Sequence, residues 1–418
     1  MTLDSRRRFL RHALWAGAGW SVGCRPSGEG EAPNPPDSGG GSDGADGASD
    51  GSSDSGGPDP ATCDDPFPGG AFVGLVDFVG EDDRPLETLY GEGLDARQVL
   101  DLSSLDRDLL VVPSDRFFVR TAWPDTLDPD AAWVLSVSGR VDTALSLSPA
   151  DLWARATDQG VVHFECSGNT SYGGFGLQGA ARWAGVSMVE LLDLAGADPD
   201  ARVRVTGSDD HSSTSSRSVA GAAWVFSRAQ LEAAGAFLAL DMNGEPLPLD
   251  HGFPVRLVVP GWYGCSCIKW VTDIELVDDD VPATSQMVEF AARTHQDGEP
   301  ALARDYRAAQ ADLSAAPIRV ERWTTADGDD VLRVVGLLWG GAAHGVAADA
   351  ALELQLGDGA WQAIEPCPAR DHARTWGLWV CRLALPASGT HALRLRCADP
   401  DTPTIRLDAG WYERRIRV

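Results

Sequence analysis

The hydrophobic pattern changes character along the chain. In its first part, alternating segments predict half-buried strands at 116–123, 133–141, 161–166 and 201–207. Two segments have helical spacing: SPADLWARA (148–156), which begins with Ser-Pro at a helix entrance, and SMVELLDLAG (187–196), which is closed by Gly196. The segment 250–278 predicts two strands separated by a glycine-rich turn. Strands and helices alternate here, so we predict a mixed α+β domain over residues 65–280.

The C-terminal part has a different pattern. From Pro317 onward, six short alternating runs follow one another at regular spacing, split by Gly, Asp and Pro and without helical segments between them. This pattern is typical of a β-sandwich, which we predict over residues 317–418. Residues 281–316 then form a connection, with some helix around 285–293.

The N-terminus predicts export rather than folded structure. SRRRFLR (5–11) matches the twin-arginine export pattern and precedes a short apolar stretch, so residues 1–24 are interpreted as a signal. Cys24 ends WSVGC, and both lipidation at Cys24 and plain cleavage nearby stay open. Residues 25–64, rich in Gly, Ser, Asp and Pro, predict a disordered linker. We therefore expect a periplasmic protein, with a membrane tether if Cys24 is acylated.

Composition limits the partners and the disulfides. The net charge is −28, which disfavours nucleic acid and anionic lipid as ligands. Eight cysteines suit an oxidising compartment. Cys367, Cys381 and Cys397 are close in sequence, and one pair among them could be bridged, although the sequence does not determine the pairing. Cys265 and Cys267 form a C-x-C motif that is too short for a zinc site by itself.

Cys166 is an isolated cysteine in HFECSGNTS (163–171), where a buried strand enters a polar loop. The residue types alone allow a small buried apolar side chain, a nucleophile or a single thiolate ligand to a metal. A nucleophile would need a histidine partner. His163, three residues earlier, lies on the opposite face of the strand, which is poor geometry for a Cys–His pair.

Three segments, in order, resemble the sulfite oxidase family of molybdopterin enzymes: HFECSGN (163–169), ARWAGVSMVELLDLAG (181–196) and MNGEPLPLDHGFPVRLVVPGWYGCSCIKW (242–270). FFVR (117–120) also fits the segment that opens that family's cofactor site. The resemblance implies a sulfite-oxidase-like molybdopterin-binding domain followed by an immunoglobulin-like β-sandwich of the dimerisation type. VVGLLWGG (334–341) is similar to the start of that second domain.

The resemblance also implies the site. Cys166 would supply the protein's thiolate to one molybdenum per chain, with the other sulfurs coming from one pyranopterin dithiolene. The family's pterin contacts correspond to Phe118, Val119, Arg120, Thr121, Ala122, Asp209, His251, Arg256, Cys267, Ile268 and Lys269. Arg256 and Lys269 suit the cofactor phosphate. Asp209 suits the pterin N–H groups, although Asp210 is an equal candidate. Arg120 and Arg182 are the expected cations near the metal.

Departures from the family pattern affect the substrate. The family's cysteine loop supplies an arginine for an anionic substrate, and Thr170 and Ser171 occupy those positions here. The family's histidine is replaced by Ala122. Its tyrosine has only Phe290 and His295 as substitutes, by closeness in sequence. Loss of one arginine removes a charge-assisted hydrogen bond of about 1.5–3 kcal/mol. We therefore expect a substrate other than sulfite, such as a sulfoxide or another S- or N-oxide.

The expected function is oxygen-atom transfer at a cysteine-ligated molybdenum centre, with a small oxo donor or acceptor as substrate. The sequence contains no C-x-x-C-H haem motif, so a separate protein is expected to carry the electrons. The resemblance also suggests a homodimer. Two alternatives stay open. The same centre could run as a methionine-sulfoxide-type reductase, or the chain could be a surface lipoprotein without cofactor.

Overall fold

The computed structural model describes Cys63 and residues 66–81, 85–215 and 218–418. The twin-arginine signal, Cys24 and the linker other than Cys63 lie outside the described residues. No helix among the described residues is long and apolar enough to cross a membrane.

The described chain contains 21 strands and five short α-helices. The strands are β1 (Ala71–Leu75), β2 (Arg97–Gln98), β3 (Val119–Arg120), β4 (Leu135–Gly139), β5 (Leu145–Leu147), β6 (Thr157–Glu165), β7 (Gln178–Ser187), β8 (Arg202–Gly207), β9 (Ala223–Ser227), β10 (Phe237–Met242), β11 (Glu245–Pro246), β12 (Arg256–Val258), β13 (Val271–Val277), β14 (Ser314–Thr324), β15 (Asp330–Trp339), β16 (Leu352–Leu356), β17 (Gln362–Ala363), β18 (Glu365–Pro366), β19 (Gly377–Ala384), β20 (Thr390–Cys397) and β21 (Arg414–Arg417). The helices are α1 (Pro149–Trp153), α2 (Met188–Ala195), α3 (Arg228–Ala234), α4 (Ser285–Phe290) and α5 (Ile405–Asp408).

A two-stranded sheet of β2 and β3 and two five-stranded sheets form the first part of the fold. One has the order β11-β10-β7-β6, with β12 also paired to β10. The other has the order β5-β4-β13-β8-β9, and its β4–β13 pair is parallel, whereas its other pairs are antiparallel. The predicted strands at 161–166 and 201–207 lie within or close to β6 and β8. This part is the α+β domain that the sequence predicts.

Helix α1 begins and helix α2 ends as the sequence indicates. Ser148 caps α1, and the Asp151 side chain bonds back to the Ser148 backbone, which is a capping box. Gly196 ends α2 in a left-handed conformation with φ of 62°, a geometry that glycine adopts without a Cβ penalty.

The C-terminal part forms two antiparallel sheets, with orders β1-β14-β15-β19-β18 and β17-β16-β20-β21. Strand β14 contacts β20, so the two sheets face each other as in a sandwich. One sheet also contains β1, which comes from the N-terminal end of the described chain and pairs with β14. The first part of the chain therefore contributes a strand to the C-terminal part.

The expected disulfide is wrong. Cys63 is bonded to Cys367, whereas Cys381 and Cys397 are free. The expectation relied on closeness in sequence among the last three cysteines. In the structure, Cys63 lies at the C-terminal sheets, where the Arg333 guanidinium donates a hydrogen bond to the Cys63 carbonyl (2.8 Å).

Candidate active site

A cavity with about 900 Å³ of empty volume, part of it open to solvent, lies in the α+β part of the fold. It forms where several chain segments leave their strands. Cys166 follows β6, Arg120 ends β3, Arg256 begins β12, and Lys269 precedes β13. Ten of the predicted site residues line it: Phe118, Arg120, Thr121, Cys166, Asp209, His251, Arg256, Cys267, Ile268 and Lys269. Segments far apart in the sequence thus meet as the resemblance implies.

The Cys166 side chain is buried at the end of β6 and held by its own loop. Its backbone N–H donates to the Leu177 carbonyl (2.9 Å), and its carbonyl accepts from the Asn169 N–H (2.9 Å). The Gly168 N–H points at the Cys166 sulfur (3.4 Å). The loop thereby fixes the position of the sulfur, and cysteine ligates a metal as the thiolate.

The half-buried Lys269 places its ammonium group beside a strained residue. Its Nζ donates to the carbonyls of Arg120 (3.3 Å), Thr121 (2.6 Å) and Asp250 (2.9 Å). Thr121 has φ of 82°, which a β-branched residue rarely adopts, and this strain turns its carbonyl toward Lys269. Burial and, secondarily, the nearby Arg256 guanidinium lower the pKa of Lys269 well below its usual range. An anion in the cavity would relieve that destabilisation.

Arg256 is the most deeply buried cation of the cavity. Its Nη1 donates to the His251 carbonyl (3.0 Å) and its Nη2 to the Cys267 carbonyl (3.4 Å). Its guanidinium also lies 4.9 Å from the ring centre of Phe164 and 5.3 Å from that of Trp183, within cation–π range. The buried Arg256 Nε has no hydrogen-bond partner among the described residues. Burial lowers the pKa of Arg256 to about 10.

His251 is neutral in this setting. Burial, with Lys269 and Arg256 nearby, lowers its pKa to about 3. Its Nε2 lies 3.0 Å from the Ser114 carbonyl, so Nε2 carries the proton that is donated there. His251 therefore adds no positive charge to the cavity.

The structure distinguishes Asp209 from Asp210. Asp209 lines the cavity, and its Oδ1 accepts from the N–H groups of Gly221 (2.8 Å) and Ala222 (2.9 Å), whereas Asp210 is exposed. Val119 and Ala122 do not line the cavity. Val119 is paired with Gln98 between β2 and β3, and the Ala122 N–H donates to the Gly93 carbonyl (3.1 Å).

The assignment of Arg182 to the site is wrong. Arg182 lies in β7 between the buried residues Ala181 and Trp183, so its side chain points to the opposite face of the strand. Its guanidinium is half exposed and forms an ion pair with Asp158 (2.6 Å). Arg182 therefore stands on the surface, away from the cavity lining.

Two cations near Cys166 were missed by sequence reasoning, Arg97 and Arg293. Burial lowers the pKa of Arg97 to about 10 and also lowers that of Arg120, and the Cys166 sulfur opposes both shifts electrostatically. A Cβ placed on Gly168 would lie 3.5 Å from Arg293 Nη1 and 3.8 Å from Cys166 Sγ. The Arg293 guanidinium and the cysteine sulfur thus flank the same glycine. No motif or spacing in the sequence connects Arg293 to this loop.

The two proposed substitutes for the family tyrosine have different positions. Phe290 lines the cavity, and the Arg293 guanidinium lies 5.2 Å from the centre of its ring. His295 does not line the cavity. It contacts the Tyr263 hydroxyl (3.3 Å) and Asp312 (3.7 Å) instead.

The residues present fit a phosphate-bearing cofactor with one protein thiolate on its metal. Two cations, the buried Arg256 and the half-buried Lys269, face the cavity, and among the described residues their hydrogen bonds go only to backbone carbonyls, so no carboxylate contact compensates their charge. The unpartnered Arg256 Nε is a donor ready for an anion. The described residues contain no group of three or more His, Cys, Asp or Glu side chains able to hold a metal ion.

Comparisons with known proteins agree with this geometry. Residues 121–285 match the family model for the oxidoreductase molybdopterin binding domain. The chain is 28% identical over 318 residues to mitochondrial sulfite oxidase of Macaca fascicularis, covering 70% of this chain and 56% of that protein. It is 28% identical over 319 residues to sulfite oxidase of Gallus gallus, covering 70% of this chain and 67% of that protein. The chain spans little more than half the length of several of these curated relatives.

A solved structure shows the same fold. The sulfane dehydrogenase SoxCD from Paracoccus pantotrophus superposes with a TM-score of 0.55 at 18% identity, covering 87% of this chain and 88% of that chain. The matched domain is a molybdopterin-binding oxidoreductase domain. The chain is therefore similar to the sulfite oxidases among the molybdopterin oxidoreductases.

Proposed function

We propose that this protein is a mononuclear molybdenum–molybdopterin oxidoreductase that transfers an oxygen atom at a centre ligated by Cys166, with one molybdenum per chain. The observation that carries the proposal is the cavity itself. It brings a buried cysteine together with the buried Arg256 and the half-buried Lys269, two cations without a carboxylate contact among the described residues. When bound, the molybdenum pyranopterin group supplies two-electron redox chemistry.

The chain's own residues would hold and orient this group. Cys166 provides the thiolate, with the Gly168 N–H stabilising its negative charge. Arg256 Nε and the Lys269 ammonium group offer donors to the cofactor phosphate, and Asp209 an acceptor to the pterin N–H groups. Val119 and Ala122 do not line the cavity, so we assign them no direct contact with the cofactor.

We propose an anionic sulfur compound as the substrate class. Three cations, Arg97, Arg120 and Arg293, surround the Cys166 region. Arg293 would take the place of the arginine that Thr170 and Ser171 lack, since it reaches the same loop from another segment. The sequence-based expectation that the site binds an anionic substrate poorly took into account only the residues of the cysteine loop.

Turnover assays of the cofactor-loaded protein test this proposal. Sulfite, thiosulfate and a persulfide would be offered with an electron acceptor, and matched protein from a host that cannot make molybdopterin is the control. We expect oxidation of at least one of these anions by the loaded protein and none by the control. Absence of turnover with every sulfur anion would contradict the substrate class.

Sulfoxide reduction is a second candidate, favoured by the apolar side of the cavity. Phe290 and the exposed Val219 line it, and a neutral methyl sulfoxide could pack against them. The redox potential of the centre sets the direction of reaction, so the same protein would be assayed with methionine sulfoxide and a reduced dye. Reduction of the sulfoxide without oxidation of any sulfur anion would favour this candidate.

The remaining expectations are proposals of the same kind. We propose periplasmic location after folded export, with anchoring through Cys24 if that residue is acylated. A separate protein would carry the electrons. The C-terminal sandwich would be an immunoglobulin-like module that supports a homodimer. A reporter fusion tests export, and labelling with a fatty-acid analogue tests acylation of Cys24. Light scattering tests whether the protein is a homodimer.

A further inference from the structure

The residue next to Cys166 is a buried carboxylate. Glu165 is 1% exposed, and four side chains donate hydrogen bonds to it. Its Oε1 accepts from Tyr412 (2.7 Å), Arg406 (3.1 Å) and Asn169 (3.2 Å), and its Oε2 accepts from Trp339 (2.9 Å). We call these five residues the Glu165 cluster.

Arg406 also binds the backbone of the cysteine loop. Its Nη2 donates to the Ser167 carbonyl (2.6 Å) and to the Arg293 carbonyl (3.2 Å). The Arg406 guanidinium thus contacts Glu165 and Ser167, the residues on either side of Cys166. It also contacts the backbone of Arg293. The Tyr263 ring covers the guanidinium at 4.4 Å.

Three members of the cluster come from the C-terminal part of the chain. Trp339 ends β15, Arg406 lies in α5, and Tyr412 precedes β21. Nearby, the Trp411 indole N–H donates to the Asn169 carbonyl (2.8 Å). The sandwich therefore holds the cysteine loop through polar contacts as well as through packing.

Burial makes this arrangement rigid. Removing one partner of a buried ion pair leaves an uncompensated charge, so the pair resists separation once formed. A fully satisfied buried network has one low-energy geometry, because any shift breaks several bonds at once. The backbone on both sides of Cys166 is bonded to Arg406, directly or through Glu165, so the direction of the Cys166 side chain follows from that geometry.

We propose that Arg406 is a positioning residue that sets the orientation of the Cys166 sulfur toward the metal, through Glu165 and the Ser167 carbonyl. The inference rests on the proposed function, since it concerns the thiolate as a ligand. It extends that function by making the C-terminal sandwich part of the metal site rather than a separate module.

The test compares Arg406→Met, Arg406→Lys and Tyr412→Phe with a matched control, Arg370→Met. Arg370 is also fully buried, pairs with Asp349 (2.6 Å) and bonds to the Gly340 carbonyl (2.9 Å), but it makes no hydrogen bond to the cysteine loop. Each protein would be purified with its cofactor. Molybdenum content, the electron paramagnetic resonance spectrum of the one-electron-reduced metal and its midpoint potential would be measured.

We expect Arg406→Met to shift the g-values and the potential and to lower turnover roughly 10- to 100-fold, the range found when a ligand's supporting partners are removed. Arg406→Lys keeps the charge and should restore part of the shift, and Tyr412→Phe should give a smaller shift. Arg370→Met should lower the thermal midpoint while leaving spectrum and potential as in the wild type.

The outcomes separate this inference from the proposed function. A wild type without molybdenum would overturn both. Molybdenum-containing Arg406 and Tyr412 variants with wild-type spectra and potentials would overturn the positioning role alone. If Arg406→Met does not fold, Tyr412→Phe decides the question, because it removes one neutral donor and leaves the ion pair in place.

Discussion

Replacing Arg256 should affect the cofactor-loaded protein but leave the cofactor-free protein almost unchanged. At neutral pH the lowering of its pKa from 12.5 to about 10 corresponds to about 3 kcal/mol of unfavourable free energy for the charged form. Arg256→Met removes this charge but leaves the His251 and Cys267 carbonyls without their donor, which costs roughly 1–3 kcal/mol. The two effects nearly cancel, so the free energy of unfolding of the cofactor-free protein should change little.

The loaded protein should respond differently. A charge-assisted hydrogen bond from Arg256 to the cofactor phosphate is worth about 1.5–3 kcal/mol, so its loss weakens cofactor retention roughly 10- to 150-fold. The assay is urea unfolding of wild type and variant, each purified with and without cofactor, alongside their pterin and metal content after dialysis. Arg333→Met, a buried arginine of the sandwich paired with Glu321, is the control and should show no difference between the two forms.

We expect the loaded variant to have a lower free energy of unfolding than the loaded wild type. The cofactor-free variant and wild type should have the same free energy of unfolding. Equal destabilisation of both forms would show that Arg256 is a structural cation rather than a cofactor ligand. A variant that retains its cofactor as well as the wild type does would refute the argument in the same way.

Three further predictions concern charge, pH and the disulfide. Arg293→Gln should raise KM for an anionic substrate about tenfold with little change in stability, whereas the exposed Arg307→Gln should leave KM unchanged; steady-state kinetics checks both. Burial lowers the pKa of His163 to about 3, so the stability it contributes is complete above its unfolded pKa near 6.5 and is lost as pH falls toward 3. At pH 5 that loss is about 2 kcal/mol, and His163→Gln should flatten the pH dependence of unfolding by this amount. Cys367→Ser opens the loop closed with Cys63 and should lower the free energy of unfolding by roughly 2–5 kcal/mol in calorimetry, and an unchanged midpoint would contradict it.

Local pattern predicted the elements well. The alternation in β8 and the serine and glycine at the ends of α2 are local features that depend only on neighbouring residues. The structure confirms both elements. The strand over 161–166 was also found, because a run of apolar residues ending at Cys166 is characteristic of a buried strand.

Tertiary pairing could not be predicted in the same way. The bond between Cys63 and Cys367 joins residues 304 positions apart, and proximity in sequence pointed elsewhere. Arg293 reaches the cysteine loop only because the segment after α4 folds against it. The sequence motifs identified the residues that line the cavity, but not the cations and the carboxylate that approach from other segments.

Arg182 shows a limit of motif transfer. It stands within a family-like segment, yet strand alternation points its side chain away from the cavity and toward Asp158. Residue type and closeness to a motif suggested a site cation. Because Ala181 and Trp183 are buried on one face of the strand, Arg182 lies on the other face and does not reach the cavity.

The most direct test of the central claim is X-ray absorption at the molybdenum edge of the loaded wild type and of Cys166→Ser, with Cys381→Ser as a control for a buried cysteine in the sandwich. The account predicts that the metal in Cys166→Ser has one sulfur neighbour fewer than in the other two proteins. The same sulfur shell in all three, or a wild type that carries no molybdenum, would contradict it.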